Sequence, residues 1–187
     1  MMNILKKAII CSLTIVCLSS CKDDPYAKFE YTVSCSQQMF QYAIPQVKYT
    51  DNKEQNILME LTESNWIGDG IQSDGKLYWK IPTIEFDDFS SATSEITVTY
   101  TPRQDISKDS MVNLDHELYH NLSYQITVMD ENEEMHYLPE RYSQTSTQVT
   151  DIGKTTEKVN LVEFIASIKD YKKFQATSNG NIKDLSE

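Results

Sequence analysis

Hydrophobic and polar residues alternate along most of this chain with a period of two. The pattern runs through Phe29-Glu30-Tyr31-Thr32-Val33, Val47-Lys48-Tyr49 and Ile57-Leu58-Met59-Glu60-Leu61. It returns in Leu77-Tyr78-Trp79-Lys80-Ile81 and Ile96-Thr97-Val98-Thr99-Tyr100. The longest run has Leu118, Leu122, Tyr124, Ile126 and Val128 on one face and Ser123, Gln125 and Thr127 on the other. A strand turns successive side chains to opposite faces of its sheet, so each run reads as a strand with one buried face. Turn-forming clusters separate the runs: Thr50-Asp51-Asn52-Lys53, Gly68-Asp69-Gly70, Ser73-Asp74-Gly75 and Asp130-Glu131-Asn132. Half-buried strands at this spacing predict a mainly β protein, an antiparallel immunoglobulin-like β-sandwich. Pro45 and Pro82 fall at strand ends, where a missing N–H does little harm.

The period changes near the C-terminus. Leu161, Phe164, Ile165 and Ile168 follow i, i+3, i+4, i+7, which predicts one C-terminal amphipathic helix over about 160–174. Asn160 before it and Glu163 three residues later make a capping pair. A narrow apolar stripe of this kind suits a helix that covers a sheet edge or one end of a sandwich.

The first residues follow another rule. Lys6 and Lys7 precede an uncharged apolar stretch from Ala8 to Leu18, and Leu18-Ser19-Ser20-Cys21 closes it. The stretch is too short to span a bilayer comfortably, and small residues precede a cysteine. Charge, apolar run, small pair and cysteine in that order predict a lipoprotein signal peptide over 1–20, with a lipid attached to Cys21. An acidic linker over 21–27 then leads to a single domain over 28–187 carrying the strands and the helix. Repeats and low-complexity tracts are absent, and about 165 mature residues suffice for one core.

Charge and cysteine usage narrow the function classes. Losing the leader removes Lys6 and Lys7 and no acid, leaving 15 basic residues (17 less 2) against 28 acidic ones, a net charge of −13. Such a surface repels nucleic acid and anionic headgroups, so nucleic-acid binding is excluded as a function. Of the four cysteines, Cys11 and Cys17 leave with the leader and Cys21 takes the lipid. Cys35 alone remains, so no intramolecular disulfide can form. Its register with Phe29, Tyr31 and Val33 predicts a buried structural thiol.

One motif carries chemistry. His116-Glu117-Leu118-Tyr119-His120 reads H-E-x-x-H, the zinc signature of zincin metallopeptidases. On a helix both imidazoles reach one zinc, and Glu117 polarises the bound water. Met111, Leu114, Leu118 and Leu122 permit such a helix, with Glu140 or Glu163 as third ligand. The alternation that begins at Leu118 opposes it. In a strand, His116 and His120 stand ~13 Å apart at ~3.3 Å per residue, too far for one zinc bound at ~2.0–2.1 Å. The sequence therefore favours a strand, no metal and no cofactor, with His116, Glu117 and His120 kept as the enzymatic alternative. Trp66, Trp79 and the tyrosines offer rings that stack on sugars, although aromatics alternating along strands more often build the core.

Lys22-Asp23-Asp24 directly after the cysteine resembles the export signal that sends lipoproteins of Bacteroidota to the outer face of the outer membrane. Asp109-Ser110-Met111 resembles the triplet those bacteria use for O-glycosylation, which marks Ser110. Ile44-Pro45-Gln46-Val47-Lys48-Tyr49-Thr50-Asp51, with Trp66 downstream and Glu95–Tyr100 later, is similar to small surface lipoproteins of Bacteroidota. That resemblance implies a β-rich, surface-associated protein and brings no activity or functional residue with it. The combined expectation is a lipid-anchored outer-membrane protein at the cell surface, a binding or structural module for a protein or glycan rather than an enzyme.

Overall fold

The computed structural model of the protein describes residues 26–68, 70–88, 92–113, 118–130, 132–138, 143–144 and 158–186. It is mainly β, with two antiparallel sheets and few helices. In chain order come β1 (Tyr26–Ser36), α1 (Gln37–Tyr42), β2 (Ala43–Thr50), β3 (Asn56–Glu60), β4 (Lys76–Lys80) and β5 (Ile84–Phe86). Next are β6 (Thr93–Pro102), β7 (Met111–Asn113), β8 (His120–Met129), β9 (Met135–Leu138) and β10 (Ser143–Gln144). The described chain closes with β11 (Lys158–Asn160), α2 (Leu161–Ser167), β12 (Lys169–Ala176) and β13 (Ile182–Asp184). Among the described residues no helix is long and apolar enough to cross a membrane.

The first sheet runs β10-β8-β1-β4, with β5 also on β1 and β9 also on β8. The second runs β13-β12-β6-β2-β3, and β7 pairs β11 as a separate ribbon. Register follows the hydrophobic alternation. Phe29, Tyr31 and Val33 of β1 stand opposite Ile126, Tyr124 and Leu122 of β8, and Val33 and Cys35 stand opposite Trp79 and Leu77 of β4. In the second sheet Val47 faces Val98 and Tyr49 faces Ile96. A slip of one residue would turn all of these outward, so burial itself pins the pairing.

The inward faces of the two sheets share one core. Direct contacts join the layers: Tyr31 Oη donates to Ser94 Oγ at 2.9 Å, and the Tyr124 and Phe174 ring centroids lie 4.6 Å apart. Trp79 is fully buried, its ring 5.5 Å from that of Phe40, and its indole N–H donates to the Thr62 carbonyl at 2.9 Å. An indole buried this way contributes a large apolar area and still satisfies its one polar atom.

Two elements differ from the expectation. The helix expected over about 160–174 stops at Ser167, and Lys169–Ala176 is strand. Its start matches the capping pair, since Asn160 Oδ1 accepts the Glu163 N–H at 3.1 Å. Beyond Ile168 the inward positions become Asp170, Lys172, Phe174 and Ala176, a period of two. Backbone pairing with β6, Asp170 opposite Val98 and Phe174 opposite Ser94, takes over there. The second difference is α1, which the alternation does not announce. Ser36 caps it by accepting the Met39 N–H at 3.2 Å, and Met39 and Phe40 bury themselves in the core.

Candidate functional site

Antiparallel pairing gives the two layers common ends. The start of β1 lies beside the end of β8 (Tyr26 opposite Met129), the end of β12 and the start of β6 (Gln175 opposite Thr93). The β2–β3 turn joins this end, where Asn52 Nδ2 donates to the Glu85 carbonyl at 2.9 Å. The opposite end gathers α1, the loop from Thr62 to Gly75, the loop after Pro102 and the start of β8. There the Ser36 N–H bonds to the Tyr119 carbonyl and the Gln37 N–H to the Gly75 carbonyl. The first end is where β1 begins; the second is the far end.

Two open grooves lie at the far end. One, of about 430 Å³, is lined by Ile67, Gln72, Ser73, Asp74 and Tyr78. Its loop is tied to β4 by the Ile67 N–H on the Tyr78 carbonyl at 2.7 Å and the Gln72 N–H on the Lys76 carbonyl at 2.8 Å. Trp66 folds over Gly70, whose φ is +110°, and a Cβ there would stand 3.2 Å from Trp66 Cζ2. The Tyr78 hydroxyl donates to Asp74 at 2.6 Å, and this bond leads the effects that lower the Asp74 carboxyl pKa. Ile67 and Ile71 are exposed beside it. The second groove, about 370 Å³, includes Phe40, Ile44, Glu60 and Arg103. Arg103 is fixed over the Phe40 ring, with its Nε donating to the Phe40 carbonyl at 3.0 Å.

A polar contact crosses the layers near this end. His120, at the start of β8, is buried, and its Nδ1 lies 3.0 Å from Asp170 Oδ2 on β12. The Tyr100 ring packs on His120 at 5.4 Å. Burial, followed by Cys35, Asp170 and Tyr119 nearby, pushes the Tyr100 hydroxyl pKa well up. Cys35 sits opposite His120 in the β1–β8 register. Cysteine, histidine and aspartate thus lie near one another, but among the described residues no hydrogen bond joins the Cys35 thiol to the His120 ring, and no thiol chemistry follows. Cys35 is completely buried, and that burial pushes its thiol pKa up to about 12, so at neutral pH it is neither ionised nor reachable. Native protein at pH 8 is expected to resist thiol labelling at Cys35 and to react once unfolded in guanidinium. Equal labelling rates in the two states would contradict the buried thiol. Because the folded pKa lies above the unfolded one, this group's stabilisation is intact below about 9 and is lost as pH rises toward about 12.

Of the other residues singled out in the sequence, Cys21, His116, Glu117 and Glu140 lie outside the described residues. The chain is extended before the H-E-x-x-H motif, as β7, and again from the motif's last residue, His120, onward, as β8. Glu163 is exposed in the first turn of α2. Ser110 is half-buried in the loop before β7, its N–H on the Ser107 carbonyl and its carbonyl accepting the Leu161 N–H. Trp79 belongs to the core, while Trp66 is half-buried against it. Asp170 falls within the helix expected from the sequence, and the strand Lys169–Ala176 is what brings it to His120. A second missed group, Asp130, Glu134 and His136, occupies the β8–β9 hairpin at the end where β1 begins. Burial acts against the Asp130 charge, but N–H bonds from Glu134 and Asn132, with His136 beside them, bring its carboxyl pKa below the usual range. No protein-family model matches the chain, and no curated protein or solved structure does either.

Proposed function

We propose that the protein is a lipid-anchored outer-membrane protein that displays a β-rich binding or structural domain at the cell surface. The observation that carries this reading is the position of Tyr26. β1 begins five residues after Cys21, a connection of at most ~18 Å at ~3.6 Å per residue. An anchor at Cys21 therefore holds one end of the domain close to the membrane. The 11 residues of β1 then carry the far end away by roughly 36 Å at ~3.3 Å per residue. The grooves around Tyr78 and Arg103 lie at that far end, where a partner outside the cell could reach them. Exposed isoleucines beside Gln72, Asp74 and Tyr78 suit a partner with both apolar and hydrogen-bonding groups, a protein or a glycan. An immunoglobulin-like class is supported by a chain that passes between layers: β1 in one, β2 and β3 in the other, β4 and β5 back, then β6 across.

Several acyl chains on one terminus, each buried CH₂ adding ~0.8 kcal/mol, would anchor durably. Labelled palmitate fed to cells is expected to appear in the wild-type protein and to vanish in Cys21→Ala, which leaves the membrane fraction. Protease added to intact cells is expected to digest the anchored protein. Label retained in Cys21→Ala would remove the anchor from the reading; protection of the wild type on intact cells would remove surface display.

A further inference from the structure

The β8–β9 turn brings three metal-ligating side chains together. Asp130 ends β8, and its Oδ1 accepts the N–H groups of Asn132 at 2.9 Å and Glu134 at 3.1 Å. These bonds lock a carboxylate whose side chain is only 8% exposed. Its Oδ2 faces Nε2 of His136 on β9 at 3.4 Å, beyond good hydrogen-bond length, and that buried Nε2 has no hydrogen-bond partner among the described residues. Glu134 completes the group: one ligand atom from each of the three residues lies within 4.8 Å of the others. The turn between β12 and β13 closes over the imidazole. Gly180 has φ +77°, and a Cβ there would stand 2.7 Å from His136 Cδ2 and 2.8 Å from Nε2. Packing thus holds the ring in place without a hydrogen bond at Nε2.

We propose that Asp130, Glu134 and His136 bind a divalent transition ion of the zinc class. Asp130 Oδ2 and His136 Nε2 stand at ion-pair distance but beyond a good hydrogen bond, a spacing that one ion ligated by both would span. Two carboxylates and one imidazole balance a divalent charge and suit zinc, whereas calcium and magnesium take oxygen ligands throughout. Ion binding at ~2.0–2.2 Å requires the three ligand atoms to draw closer than they now stand. Glu134, the exposed member, supplies that movement, while Asp130 and His136 are already fixed. Three protein ligands leave a coordination position open to water or a further ligand. The strongly acidic surface raises the local cation concentration and favours loading. The bound ion would pin the β8–β9 turn beneath the β12–β13 turn, at the end of the domain where β1 begins. This site does not depend on the surface-display reading or on the H-E-x-x-H motif.

The competing explanation is a plain Asp130–His136 ion pair, in which Glu134 has no part. Full-length protein in detergent, stripped with chelator, would be titrated with zinc chloride by calorimetry, and cobalt absorption would report ligand geometry. One zinc per chain is expected, with affinity falling at least tenfold in Glu134→Gln and in His136→Ala and unchanged in His116→Ala. Glu134→Gln keeps an exposed side chain of the same size, so its loss of affinity cannot be ascribed to misfolding. Binding below one equivalent, affinity unchanged in Glu134→Gln and His136→Ala, or zinc lost only in His116→Ala would each overturn the assignment.

Discussion

Trp79→Ala is expected to destabilise the protein by about 3–5 kcal/mol, the range for removing a fully buried large side chain. Trp79 stands opposite Val33 on β1, packs against Phe40 of α1 and donates its indole N–H to the Thr62 carbonyl. Removing it opens a cavity at the seam of strand, helix and loop, and leaves that carbonyl without its donor. Because Thr62 begins the loop that carries Trp66 and the Tyr78 groove, loosening there is expected to reach the far end first. Urea unfolding measures the loss, and protease sensitivity within 62–75 measures where it falls. Trp79→Phe retains most of the packing and should cost about 1–2 kcal/mol, chiefly the lost hydrogen bond. A shift below about 1 kcal/mol for Trp79→Ala would mean that the Trp79 site is not packed as described.

Asp170→Ala is expected to cost about 3 kcal/mol, the lower end for removing one partner of a buried pair. Asp170 and His120 belong to different sheets, so their contact at 3.0 Å fixes how one layer sits on the other. Without Asp170, the buried His120 Nδ1 loses its acceptor beneath the Tyr100 ring. The double variant His120→Leu, Asp170→Leu is expected to recover most of the loss, because apolar residues of similar size need no partner there. Unfolding free energies of His120→Leu, Asp170→Leu and the double variant form a thermodynamic cycle. Additive effects would show that the two side chains are not coupled.

His120 and Asp170 join across the layers with Cys35 on the neighbouring strand, yet no reactive centre forms, because the burial that orders the layers also seals the thiol. The Asp130–Glu134–His136 group lies at a turn, where backbone N–H groups order the Asp130 carboxylate. The domain's two ends thus offer different chemistry: a hairpin carrying the proposed Asp130–Glu134–His136 metal site where β1 begins, and mixed apolar and polar grooves at the other end.

The alternation alone determined the sheets' inward faces. Residues such as Phe29, Tyr31, Val33, Val47, Ile96 and Val98 have only one way to leave water in a strand, so period and parity fix their side of the sheet. The Asn160–Glu163 cap was equally legible, because its bond spans three residues. The proposed anchor at Cys21 likewise rests on sequence alone, since a processing signal is a linear string. Tertiary structure decided the rest. Lys169–Ala176 carries helical and strand character at once, and only the free edge of β6 made the strand win, since its N–H and C=O groups needed partners. Asp170 met His120 across 50 residues of chain, and Gly180 came to rest on His136 from another hairpin. Local periodicity encodes which face a side chain takes; which distant residue it meets is decided by how the two layers stack.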